Sequence, residues 1–280
     1  MGATQIAANL AFINWVVLTG LAFGSMGAVL LLRERTAATR GYLSFTAFTA
    51  FAFGLLALLS DLGLPTTIEG LPFQPDPAFD TPRRLALVVF VVLALAYTVA
   101  MARSRRAIVL GLLGVSAGVA VNLIAALGWG GQGIGSLFLL TQLLALDLAI
   151  GGVWAAMILG HWYLVTPKLP EQPLILLSRV LLVIVAVQIG LWVFWLGAGA
   201  TLAGLGGSPF AELTGEWAFF VWMRLVIGLA FPLVLSWAAI QTAKTRSMES
   251  ATGLLYINVG TIAAGTILAA GLLFGAGLLV

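Results

Sequence analysis

Apolar residues run along this chain in long blocks separated by short polar links. A helix needs about 20 apolar residues to cross a hydrocarbon core. Eight blocks reach that length, at roughly 6–32, 41–62, 84–102, 107–128, 134–163, 174–200, 217–241 and 251–278. Few residues lie between them, and nothing reads as a separate soluble domain. The pattern predicts an all-α, polytopic membrane helix bundle of eight transmembrane helices, a single integral membrane domain over residues 1–280. No basic stretch precedes the first block, so no cleaved leader is expected.

The charges in the links set an orientation, because Lys and Arg concentrate on the cytoplasmic side of membrane proteins. Alternate links carry nine basic residues: Arg33, Arg35, Arg40, Arg103, Arg105, Arg106, Lys168, Lys244 and Arg246. The other links carry two, Arg83 and Arg84, with six acids: Asp61, Glu69, Asp76, Asp80, Glu212 and Glu216. These two sides are the basic and the acidic face below. The alternation supports an even number of spans over seven spans with one re-entrant segment. It predicts both termini on the outer, acidic face and a multi-pass protein of a prokaryotic cytoplasmic (inner) membrane.

Composition narrows the function classes. Hydrophobic residues make up 61% of the 280 and charged residues 8%, against about 25% charged in soluble domains. The mean hydropathy is +1.12. A soluble enzyme is excluded and no nucleic-acid partner is expected; the lipid bilayer is the first partner. The net charge is only +3, so the high isoelectric point reflects the basic links. With no Cys and a single His, disulfides, thiolate metal sites and iron–sulfur clusters are excluded. A bis-His haem cannot form within the chain, and no metal site is expected. A His/Met haem, or a haem or pigment on His161 completed by a group from a partner, stays open.

Ionisable residues inside a membrane are costly and mark functional sites by default. Asp147 lies near the middle of the fifth block and Arg224 about two turns inside the seventh. An Asp147–Arg224 pair is expected if those helices are neighbours. Asp147, Gly151, Trp154, Ile158 and His161 fall at helical offsets that form one narrow stripe from the midplane to the basic face. The stripe suits a ligand cavity, a proton path, or a buried packing seam. His161 precedes Trp162 and Tyr163 and also suits an interfacial aromatic belt. Gln188, Trp192 and Trp195 share one face of the sixth block. Asn14, Asn122, Tyr256 and Asn258 add weaker polar marks. Pro232 should kink the seventh block and free a carbonyl one turn earlier, near Gly228.

The links and small residues carry less chemistry. The Pro- and acid-rich link 63–82 is expected to be ordered but irregular, as a solvated connector or a docking point for a partner. Residues 128–136, GWGGQGIGS, form a Gly-rich turn with Trp129 expected at the interface; no strand precedes it and no Lys follows, so it is no phosphate loop. Glycines at 20, 24 and 27 and at 111, 114 and 118 signal close helix packing. No internal repeat is legible.

Eight helices with both ends outside, and the opening span NWVVLTGLAFGSMGA at 14–28, resemble the NrfD / polysulfide-reductase / dimethyl-sulfoxide-reductase membrane-anchor family. The match covers one helix and the topology. It implies a quinone-interacting subunit without haem, acting with redox partner subunits and not catalytic alone, with Asn14 a candidate quinone contact. An imidazole common near that position in the family is missing here. The residues themselves suit a quinone site formed by Asp147, Arg224, His161, Trp154, Gln188 and Trp192. They equally suit a proton-coupled small-solute transporter using Asp147 and Arg224, and a structural or assembly subunit is a third reading.

Overall fold

A computed structural model describes residues 3–65, 75–103, 107–130, 133–166, 168–202, 205 and 207–280, with side chains from residue 9 onward. Glu69, Arg105 and Arg106 lie outside the described residues. Eight helices are long and apolar enough to cross a membrane. They are α1 (Ala3–Arg35), α2 (Arg40–Leu62), α3 (Asp80–Ala102), α4 (Ile108–Gly130), α5 (Ile134–Val165), α6 (Gln172–Ala198), α7 (Ala218–Lys244) and α8 (Met248–Ala276). Each matches an expected block to within about a turn. A 3-10 turn at Pro77–Phe79 and a one-turn helix at Pro209–Glu212 occupy two of the links.

The helices fall into two groups of four. In the first, α1 packs on α2, α2 on α3, α3 on α4, and α4 back on α1. The second repeats this order with α5, α6, α7 and α8. Across the groups α1 lies along α5, and the pair α1–α8 mirrors the pair α5–α4. The neighbour relations are those of a two-fold axis along the bundle, with α1 and α5 at the centre. Four spans per group make this a parallel repeat of arrangement.

The central seam depends on missing side chains. Gly24 of α1 lies against the backbone of Asp147 and Gly151 on α5, while Gly151 faces the Ser25 amide and the Gly24 Cα. Ser25 Oγ donates to the Gly151 carbonyl at 3.4 Å. Small residues at such crossings let two backbones touch and gain dispersion contacts that lipid cannot supply.

The acidic end of the first bundle is closed by a buried ionic cluster. Asp61, at the end of α2, is fully buried. It accepts from Arg83 Nε at 2.7 Å, Arg84 Nε at 3.0 Å and Trp15 Nε1 at 2.9 Å. Arg83 also reaches Asp80 at 3.0 Å and lies over the Trp129 ring at 5.1 Å. Phe12, Trp15 and Phe274 pack against the same indole. Trp129 is therefore buried within the bundle, not placed at the interface as its loop suggested. Arg83 and Arg84, expected to be link charges, are the counter-ions of a buried acid. The described part of the α2–α3 link docks on α4, with the Asp76 amide donating to the Gly128 carbonyl at 2.9 Å.

Candidate ligand site at Arg224

The site is built around a break in α7. Residues Ala218–Leu225 are α-helical, Val226–Ala230 form a π-turn, and α-helix resumes at Phe231. Pro232 has no N–H, so an α-helix through this point would leave the Gly228 carbonyl without its partner. The π-turn accommodates the defect, and the Arg224 guanidinium supplies the donor: Nη1 donates to Gly228 O at 3.2 Å. The carbonyl expected to be freed is the one that Arg224 takes. Such π-turns inside α-helices are frequent at functional sites. Gly265 on α8 makes room, since a methyl there would sit 2.9 Å from Arg224 Nη1.

Arg224 is 3% exposed. Its Nη2 donates to Gln188 Oε1 of α6 at 3.1 Å. Gln188 in turn donates from Nε2 to the Ala145 carbonyl of α5 at 2.8 Å, so its amide is used at both ends. Arg224 Nε has no partner. No acidic group lies within 4.0 Å of this guanidinium among the described residues. A guanidinium stays charged at any physiological pH, so this is a buried charge held only by neutral dipoles.

Arg224 and Gln188 form part of the wall of a cavity of about 260 Å³. Apolar side chains, among them Phe138, Leu146, Leu191 and Leu279, supply most of the rest. Gln142 of α5 adds a third buried polar group; its Nε2 donates to the Val280 carbonyl at 3.0 Å, and its Oε1 is unpartnered. Leu137, Thr141 and Phe194 also line the cavity and are exposed, so it opens on the outer surface of α5 and α6, where lipid would lie. A buried donor, a buried acceptor and an apolar wall form the pattern of a small-molecule site.

The remaining candidates lie elsewhere. Asp147 does not pair with Arg224. It is 2% exposed and faces α1 and α4, where Asn122 Nδ2 donates to Oδ2 at 2.5 Å. Gly20 and Gly24 cover its other side. The pairing required the fifth and seventh spans to be neighbours; α5 and α7 are diagonal in the second group, and the two residues point into different helix interfaces. On the α5 stripe, Asp147 and Gly151 meet α1, and Trp154 Nε1 reaches Thr49 Oγ1 of α2 at 3.3 Å. His161 is exposed at the basic end, with Nδ1 3.4 Å from the Tyr256 hydroxyl. Asn14 is also exposed, and its Nδ2 donates to Ser60 Oγ at 3.0 Å. Of the sixth-block face, Gln188 joins the site. Trp192 and Trp195 are buried in an apolar cluster beside it, and Trp192 Nε1 has no partner.

Gln142 was missed by the sequence reading. Its signal was an amide inside an apolar span, on the far side of the helix from Asp147. No group of three or more metal-ligating residues occurs among the described residues. The chain matches no protein-family model, and no curated protein is similar to it in sequence.

Proposed function

We propose that this chain is a quinone-interacting integral membrane subunit of an electron-transfer complex, with the quinone head group held in the Arg224 cavity and electrons exchanged with redox partner subunits. One observation carries the reading: a buried guanidinium with an unpartnered nitrogen lines an apolar cavity whose rim is exposed on the lipid-facing surface. A quinone would enter sideways from the bilayer and offer a carbonyl oxygen to Arg224. Once reduced, its hydroxyl would donate to Gln142. In this reading the basic face is cytoplasmic, the chain ends and the cavity lie toward the outer side, and the membrane is a prokaryotic inner membrane.

A proton-coupled small-solute transporter using Asp147 and Arg224 has less support, because the two residues occupy separate interfaces. A purely structural role leaves the cavity and its unpartnered nitrogen unexplained.

The test is quinone binding to purified protein in lipid nanodiscs, followed by quenching of the Trp192 and Trp195 fluorescence. A hydrogen bond to a charged group contributes about 1.5–3 kcal/mol. Arg224→Gln should therefore weaken binding by about ten-fold or more without loss of folded yield. Equal affinity in the two proteins would remove Arg224 from the site.

A further inference from the structure

The two bundles each bury one arginine near the acidic end of their third helix, bonded to a residue of the second helix. In the first bundle Arg83 meets Asp61 at 2.7 Å. In the second, Arg224 meets the neutral amide of Gln188 at 3.1 Å. The first arginine has two acids, Asp61 and Asp80; the second has none within 4.0 Å among the described residues. The first is surrounded by packed aromatic rings, whereas the second stands at a cavity. A buried arginine of the third helix is thus neutralised by acids in the first half, and in the second stands at a cavity with no acidic side chain within 4.0 Å among the described residues.

Removing one partner of a buried ion pair is strongly unfavourable, because the remaining charge stays uncompensated. A buried arginine without an acid, beside a space of head-group size, has the charge balance of a site whose anion arrives from outside. We infer that the Arg224 cavity binds an amphiphile whose head group is an anion, so that the ligand is the counter-charge Asp61 provides in the first bundle. This rests on the proposal that the cavity is a ligand site and specifies the ligand. For a quinone the occupant is a ring with an ionised hydroxyl. The apolar walls and the lipid-side rim select a hydrophobic tail over a free inorganic anion.

The experiment compares matched probes in nanodiscs at neutral pH: a hydroxynaphthoquinone with a ten-carbon tail, its neutral methyl ether, decyl phosphate, and inorganic phosphate as competitor. The hydroxyl form should bind at least ten-fold more tightly than the ether, and the gap should close in Arg224→Gln. Gln188→Glu, which installs the missing acid, should abolish the preference while the protein stays folded. Inorganic phosphate should not compete; competition would overturn the selection of an amphiphile. Equal binding of hydroxyl and ether forms would overturn the inference and leave the quinone reading standing. Arg224-dependent binding of decyl phosphate with neither quinone bound would uphold the anion site and overturn the quinone. Binding of none of the probes would overturn both.

Discussion

Asp61→Ala should be among the most damaging single changes in the molecule. It would leave Arg83, only 1% exposed, without its nearest counter-charge, and take the acceptor from Trp15 Nε1 and Arg84 Nε. Breaking a buried ion pair by removing one partner costs about 3–5 kcal/mol, a large part of the stability of an ordinary domain. Thermal unfolding of detergent-purified protein should show a marked fall in Tm and a loss of folded yield. Asp61→Asn keeps an acceptor but not the charge, and should fall between the two. The double variant Asp61→Leu with Arg83→Leu should recover much of the loss, because an apolar pair carries no uncompensated charge. An unchanged Tm in Asp61→Ala would mean that the cluster does not hold α1, α2 and α3 together.

Gly24→Ala should be nearly as severe for a different reason. The added methyl would sit 2.8 Å from the Gly151 Cα and closer still to the Asp147 carbonyl. Both obstacles are backbone, so relief requires α1 and α5 to separate, and that seam joins the two bundles. Overpacking a rigid site costs about 1–3 kcal/mol or more. Gly152→Ala is the control, since nothing lies within 4 Å of a methyl at that position and alanine is the better helix former. The contrast should appear as lost folded yield for Gly24→Ala and wild-type yield for Gly152→Ala. Equal behaviour would show that the α1–α5 crossing is not tight.

The sequence made the spans legible because twenty-residue apolar blocks have few alternatives. It did not make the partners legible. Asp61, Arg83 and Arg84 sat at span edges and were assigned to the links, although Arg83 and Arg84 were the two basic residues that broke the charge asymmetry. Their departure from the pattern was the available signal, since α2 and α3 are neighbours along the chain and their adjoining ends meet. Asp147 and Arg224 were matched by depth on the condition that their helices are neighbours, and depth gives neither which helices touch nor the rotation about a helix axis. Neighbouring glycines turned Asp147 toward α1, and Pro232 turned the backbone near Arg224. Pro232 and Gly228 were readable because proline's missing N–H is a local fact. The four-plus-four arrangement was not, because it lies in which helices touch.

The measurement that bears most directly on the central claim is photolabelling with an azido-quinone in native membranes, followed by mass spectrometry of the labelled peptides. The account predicts label on residues 137–146 of α5 and 188–194 of α6, competed by unmodified quinone and lost in Arg224→Gln. Label concentrated around Asn14 and Ser60 instead, or label that excess quinone does not displace, would contradict it.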